Sequence, residues 1–174
     1  MARQINRNIE KCHEITCGSQ TQSSFCVPIS FEQELIQASN GGALVPLSTR
    51  SSNPEKAHGI LKLKFNSGLS KAGYKLYVYN SSDRSNKIVG AHLHIGSANE
   101  NGPVTVDLYD GSPINPEGLL SEGVIDNNEI ATTNPYVNSV GALYQAILNG
   151  EIYVNVHSQR FPDGFIRGQI HNDI

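Results

Sequence analysis

Three histidines have the residue type and the spacing to bind one metal ion. His92 and His94 are two positions apart in one alternating segment, and His157 lies at the end of another. Side chains two apart on a strand leave the same face, about 6.5–7 Å from each other at the backbone. Imidazole nitrogen is a common ligand of copper and zinc. If the two segments form neighbouring strands, His92, His94 and His157 form a candidate copper or zinc site.

The alternation predicts the face of the sheet on which these histidines lie. Within residues 89–95 the odd-numbered positions are apolar, whereas His92 and His94 occupy even-numbered ones. Both imidazoles are therefore expected on the side of the sheet away from the core. His58 and Asp107 are also predicted to point outward and are weaker candidates. The alternative interpretation is a group of ordinary surface histidines, or of polar side chains bonded to a loop.

No catalytic set is recognisable in the sequence. No serine or cysteine has the context of a nucleophile elbow, and nothing marks Glu100 and Asp110 as a pair of catalytic acids. Tyr74, Tyr77 and Tyr79 could stack on a sugar or a base, but tyrosines on a strand more often pack against neighbouring strands. The sequence therefore predicts a non-enzymatic protein.

All the cysteines of the chain lie near its N-terminus: Cys12, Cys17 and Cys26. An odd number leaves at least one thiol unpaired within a monomer. Three interpretations stay open. The cysteines are free thiols, or they form disulfides between subunits, or they bind zinc together with His13, although their spacing fits no closed zinc module.

Composition and charge exclude several classes of function. The chain has 174 residues, of which 38% are hydrophobic and 17% charged, as expected for a globular protein. A net charge of −3 gives no electrostatic reason to expect a nucleic-acid partner. No apolar run approaches the roughly 18 residues that a membrane-spanning helix needs. The N-terminus also lacks the apolar stretch of a secretory signal.

Short alternating segments separated by turn residues predict an all-β fold. We expect an antiparallel Greek-key β-sandwich, of the immunoglobulin or superoxide dismutase type, over residues 25–174. Residues 1–24 are polar and are predicted to form a flexible arm that contains Cys12 and Cys17. Residues 139–149 have helical apolar spacing, which predicts one short helix that ends before Gly150.

The last segment of the chain is predicted to be a strand after a turn at Pro162-Asp163-Gly164. Arg167 in this strand has a planar fork of donors that suits a carboxylate or backbone carbonyls. The favoured interpretation is a structural ion pair of Arg167 with Asp107 or Asp163. Thr105 and Asp107 are both expected on the outer side of their strand.

Several of these segments resemble the CHRD domain, a module named for its occurrence in chordin and also found in microbial proteins. The matching pieces are Ala91-His92-Leu93-His94-Ile95-Gly96, Asn101-Gly102-Pro103-Val104, the helical region, Tyr153-Val154-Asn155-Val156-His157 and Phe161-Pro162-Asp163-Gly164-Phe165-Ile166-Arg167-Gly168-Gln169. The resemblance spans roughly residues 30 to 171 and implies a microbial or viral single-domain member. Family members commonly have Glu where this chain has Phe165. His92 and His94 also match the His-x-His strand of the Cu/Zn superoxide dismutase sandwich, but the rest of that ligand pattern is absent.

These observations lead to two functional hypotheses. The first is a non-enzymatic structural or interaction module that assembles with copies of itself or docks onto neighbouring structural proteins through its N-terminal arm. Such a module suits a spore, envelope, virion or other extracellular structure better than free cytoplasm. The second is a copper- or zinc-binding protein, with or without a redox role, that uses His92, His94 and His157. A carbohydrate-binding role has only the tyrosine-rich strand in its favour.

Overall fold

The computed structural model describes residues 30–37, 57–80, 84–98, 100–131 and 135–170. The predicted arm at 1–24 and all three cysteines, Cys12, Cys17 and Cys26, lie outside the described residues. The roles predicted for them therefore stay predictions.

Eight strands and one helix form within the described residues. Their bounds are β1 Ser30–Gln37, β2 His58–Phe65, β3 Ala72–Tyr79, β4 Ile88–Ile95, β5 Val104–Ile114, β6 Glu117–Ile125, α1 Val140–Leu148, β7 Ile152–Ser158 and β8 Ile166–Gln169. The period-two pattern explains β2 directly. Leu61, Leu63 and Phe65 are at most 2% exposed, whereas Lys62 and Lys64 lie in solvent.

The strands are hydrogen-bonded in the order β5-β4-β7-β8-β1-β2-β3-β6, with antiparallel pairing throughout. The row folds into two layers, one of β5, β4, β7 and β8 and the other of β1, β2, β3 and β6. The β3–β4, β5–β6 and β6–β7 connections pass from one layer to the other. The apolar faces of both layers form one buried core. The predicted Greek-key β-sandwich is confirmed.

Helix α1 lies between β6 and β7 and covers part of the core. The Ser139 side chain accepts a hydrogen bond from the backbone N–H of Ala142, which caps the start of the helix. Gly150 follows its end with φ +71°, a left-handed conformation that glycine adopts without strain. Tyr144 packs edge-on against Phe31 and Phe65, with ring centroids 6.0 and 5.2 Å away. The prediction of one short helix in residues 139–149 is confirmed.

The prediction that Thr105 points to solvent was wrong, since Thr105 is fully buried. The chain after β6 returns over β5, where Ile130 forms a bridge to Val106. The backbone N–H of Ala131 donates to the Thr105 carbonyl at 2.8 Å. Asp107, two residues further along β5, is exposed as predicted. Alternation carries no information about a later segment that pairs beside the strand, as residues 130 and 131 do here.

Candidate metal centre

Strand pairing brings the three candidate histidines onto one face of the β4–β7 pair. His94 lies opposite Tyr153, and His92 lies opposite Asn155. His157 lies opposite Gly90, which has no side chain, so its imidazole is next to that of His92. The ring centroids of His92 and His157 are 4.8 Å apart.

The three imidazoles form a compact cluster. One ring nitrogen from each of His92, His94 and His157 lies within 4.8 Å of the other two. The closest approach is 3.0 Å, between Nδ1 of His92 and Nε2 of His157. Among the histidine, cysteine and acidic side chains of the described residues, these three histidines lie close enough together to share a metal ion.

The outward-facing nitrogens of the cluster are held by fixed partners, and these partners define the tautomers. Nδ1 of His94 lies 2.9 Å from the Gly102 carbonyl, and Nδ1 of His157 lies 2.7 Å from the Pro162 carbonyl. A carbonyl oxygen only accepts hydrogen bonds, so both Nδ1 atoms carry the proton and donate it. In the neutral rings, each Nε2 is therefore unprotonated and has a lone pair. A bonded outer nitrogen is the usual arrangement of a metal-ligating histidine.

His92 has the opposite orientation. Its Nδ1 faces the cluster, whereas its Nε2 lies 3.6 Å from Oδ1 of Asp107. This distance is too long for a direct hydrogen bond, so the contact is chiefly electrostatic. Each of the three histidines thus directs one nitrogen inward and has a polar backbone or carboxylate group beside the other.

His94 is the most buried of the three ligand candidates. It is 8% exposed, and among the described residues its Nε2 atom is buried with no hydrogen-bonding partner. Leaving a buried polar nitrogen without a partner costs about 1–3 kcal/mol, so such an atom calls for an explanation. A metal ion bound to Nε2 would supply the missing interaction.

Burial keeps these histidines in the neutral form that binds metal. Desolvation lowers the pKa of His94 from its ordinary value to about 4. Burial also lowers the pKa of His92, although the charges of Asp107 and Asp110 oppose this shift. The pKa of His157 is lowered mainly by burial, against the hydrogen bond to Pro162. At neutral pH no proton therefore competes strongly for the lone pairs.

The His-x-His pair lies on the predicted side of the sheet, but that side is not open to solvent. The histidines do lie on the face away from the core, but loops of residues 96–103 and 158–164 cover that face. Tyr153 and Asn155 of β7 are only 1% and 5% exposed as a result. The Asn155 side chain donates to the Asp163 carbonyl and so ties the second loop to the sheet.

The ion pair predicted for Arg167 was also wrong. Among the described residues, the guanidinium forms no ion pair with Asp107 or Asp163 and instead donates to the backbone carbonyls of Ser97 and Glu100. The pairing of β7 with β8 places Arg167 opposite Asn155, on the covered face. The general expectation that its fork suits carbonyl oxygens holds.

The remaining candidates lie elsewhere. His58 on β2 is exposed and stacks on Tyr79 at 4.9 Å, in the other layer of the sandwich. The Tyr74 hydroxyl donates to the Leu108 carbonyl of β5, while the neighbours Tyr77 and Tyr79 lie on the opposite face of β3. The tyrosines of β3 therefore do not form one stacking platform.

The groups that hold the histidines in place are not evident from the sequence. The Gly102 and Pro162 carbonyls lie in segments that the sequence identified only as turns or as family motifs. Backbone carbonyls leave no signature in residue type, so they could not be assigned as partners. The stacking of Tyr153 against His94 could have been predicted from the sequence, because strand parity places both side chains on one face.

The fold and the cluster define an antiparallel β-sandwich with a histidine-rich site beneath two loops. The CHRD domain family matches this sequence over residues 33–170, and the chain belongs to that family. CHRD domains are typically extracellular modules of an interaction type. Searches of curated proteins and of solved structures found no match.

Two further observations concern the family and the membrane. Phe165, at the position where relatives commonly have Glu, is 4% exposed and stacks on Phe161 with the rings 5.6 Å apart. An apolar contact therefore replaces whatever pairing a carboxylate would make there. Among the described residues, no helix has the length and apolarity required to cross a bilayer.

Proposed function

We propose that this CHRD domain is a metal-binding module in which His92, His94 and His157 hold a copper or zinc ion. One observation carries the proposal: three imidazole nitrogens converge, and the other nitrogen of each ring already has a polar neighbour. Imidazole suits copper and zinc better than magnesium or calcium, which prefer oxygen ligands. The proposed role is binding rather than catalysis.

The ligand atoms under this proposal are Nδ1 of His92 and Nε2 of both His94 and His157. Because Nε2 of His157 is an acceptor, the 3.0 Å contact requires a proton on Nδ1 of His92. A metal ion would displace that proton, after which Nε2 of His92 carries the N–H and faces Asp107. Metal binding should therefore shift His92 from the Nδ1–H to the Nε2–H tautomer, with no net release of a proton from the three neutral rings.

Modest movements would complete the site. Two nitrogens bound to one zinc ion at about 2.1 Å are at most about 4.2 Å apart, and closer in a tetrahedral shell. The largest separation of up to 4.8 Å must therefore shrink, whereas the His92–His157 contact must open. Three protein ligands leave one coordination position for water or for a group from a partner.

The test begins with elemental analysis of protein purified without a metal-affinity tag, followed by calorimetric titration with zinc and with copper. We expect one ion per chain, and we expect His94→Ala to abolish stoichiometric binding. His58→Ala is the matched control, because His58 is an exposed histidine outside the cluster. Absence of bound metal, together with an unchanged melting temperature on adding either ion, would contradict the proposal.

We also propose that the module docks or self-assembles through its N-terminal arm. The support is in the sequence: Cys12, Cys17 and Cys26 all precede residue 33, where the family match begins. Thiols outside the shared domain are suited to disulfides with copies of the chain or with neighbouring proteins, in an extracellular setting. Light scattering of the full chain and of a variant lacking residues 1–24, with and without reductant, tests this. An identical monomeric profile in all four samples would refute it.

A further inference from the structure

We infer that Tyr153 and Arg167 are positioning residues for His94. They fix the loop of residues 96–103, and the Gly102 carbonyl of that loop fixes the tautomer and position of the His94 ring. The consequence for ligand binding rests on the proposed metal function, whereas the positioning itself does not.

Tyr153 lies in a stack of side chains from three adjacent strands. Its ring is 9° from parallel to that of His94 on β4, with the centroids 4.9 Å apart. The guanidinium carbon of Arg167 on β8 lies 3.4 Å from the centroid of the Tyr153 ring. Because β7 lies between β4 and β8, the phenol ring is held between an imidazole and a cation. Tyr153 is 1% exposed, and cation–π contacts are strongest where water is excluded.

The same guanidinium holds the loop of residues 96–103. Its Nη2 atom donates to the carbonyls of Ser97 and Glu100 at 2.9 and 3.0 Å. Its Nη1 atom donates to the side-chain oxygen of Asn101 at 3.0 Å. A planar fork that meets several acceptors at fixed angles orients a loop better than a single charge does.

Gly102 joins the loop to both aromatic rings. Its backbone N–H donates to the Tyr153 hydroxyl at 3.1 Å, and its carbonyl accepts the Nδ1 proton of His94 at 2.9 Å. A Cβ atom at Gly102 would lie 1.5 Å from the Ile95 carbonyl oxygen, so only glycine allows the loop to approach β4 this closely. Through one residue, the Tyr153 hydroxyl and the Arg167 fork act on the imidazole of His94.

The chemical consequence lies in the tautomer. A neutral imidazole has one N–H, and the Gly102 carbonyl draws it to Nδ1. If the loop moves, the tautomer with the proton on Nε2 competes, and that form has no lone pair directed at the cluster. Tyr153 and Arg167 do not bear ligand atoms of the proposed site, so their effect on binding would pass through Gly102 and His94.

The test reads the tautomer of each histidine from its ring nitrogen shifts in long-range ¹H–¹⁵N spectra of the metal-free protein at neutral pH. The wild type is compared with Tyr153→Phe, which keeps the stacked ring but not the hydroxyl, and with Arg167→Met. We expect His94 to have a pure Nδ1–H form in the wild type and a mixture in both variants. His157, whose Nδ1 is held by Pro162, should not change. Zinc affinity should fall by about tenfold or more, as for other outer partners of ligating histidines.

Arg160→Met is the matched control. It removes one exposed arginine whose side chain contacts Ser85 and not the loop of residues 96–103. It should leave both His94 and zinc affinity as in the wild type. A pure Nδ1–H form of His94 in Tyr153→Phe and in Arg167→Met would overturn the inference. If Arg167→Met does not fold, the conservative Tyr153→Phe variant decides. If the wild type binds no metal, the proposed function fails, while the tautomer still decides the positioning role.

Discussion

His94 and Tyr153 face each other across β4 and β7, with their rings 4.9 Å apart and 9° from parallel. Both side chains are buried, although they lie on the face of the sheet opposite the core. Gln169 of β8 is buried beside them and donates to the Gly96 carbonyl at 3.0 Å. The outer face of this layer is therefore a second, polar interior covered by loops. Buried polar groups of this kind specify one arrangement when they are paired, which suits a ligand site.

The close approach of the loop to β4 predicts that Gly102→Ala destabilises the protein. The added methyl group would collide with the Ile95 carbonyl, so the backbone must shift and the His94–Gly102 hydrogen bond is strained or lost. We expect a loss of about 2–4 kcal/mol in the free energy of unfolding, measured with urea. Gly73→Ala is the control, since no atom lies within 4 Å of its Cβ position. It should change stability by less than about 1 kcal/mol. Equal effects of the two substitutions would show that the loop tolerates displacement.

The sequence predicted the parts of the fold that depend on local periodicity. Alternation in β2 and helical spacing in α1 were sufficient, because burial of one face repeats every two residues in a strand and follows a period of 3.6 in a helix. The common face of His92, His94 and His157 followed from the same parity. These features need no knowledge of distant residues.

Coverage of a face could not be predicted in this way. The loop over His94 is held by Arg167, 66 to 70 residues away along the chain from the loop groups that it binds. Thr105 is also buried, and a later segment pairs alongside β5 at this point. Contacts between distant segments depend on where loops come to lie, and residue alternation does not encode that.

The N-cap of α1 gives a prediction about local stability. The Ser139 hydroxyl accepts from the Ala142 N–H at 3.1 Å, so Ser139→Ala leaves that donor without its partner. We expect a loss of about 1 kcal/mol in the free energy of unfolding. Ser139→Asp, which keeps an acceptor at the cap, should retain stability close to the wild type. Urea unfolding followed by circular dichroism measures both, and equal destabilisation by the two changes would contradict the capping role.

The lowered pKa values of the histidines predict that the metal-free protein loses stability in acid. The folded-state pKa of His94 is about 4, below its value of about 6.5 in the unfolded chain, so the unfolded state binds more protons between these values. The stabilising contribution is complete above about pH 6.5 and disappears as the pH falls towards 4. For His94 alone it amounts to at most about 3 kcal/mol.

Urea unfolding across this pH range, in the presence of a chelator, measures the effect. His94→Phe keeps an aromatic ring against Tyr153 but removes the titrating group, so its stability should depend less on pH than that of the wild type. The carboxylates titrate in both proteins and cancel in the comparison. Identical pH profiles would show that His94 is as easily protonated in the fold as in the unfolded chain.

Asp107 should tune the proposed metal centre through His92. In the metal-bound state Nε2 of His92 would carry its N–H towards the carboxylate, which now lies 3.6 Å away. Asp107→Asn removes the charge that favours this N–H, and zinc affinity should fall by about tenfold. The loss should not exceed about tenfold, because the carboxylate is 72% exposed and water screens its charge.

Asp110→Asn separates this local effect from general charge. Asp110 is also exposed on β5 and its charge also acts on His92, but it lies opposite Gly90 rather than His92. Its removal should reduce zinc affinity only slightly, and added salt should abolish the difference because long-range attraction is screened. The loss in Asp107→Asn should persist in salt, since it comes from a partner directly beside the ring. If both variants lose the same affinity and salt restores both, Asp107 contributes only to the overall potential and does not orient His92.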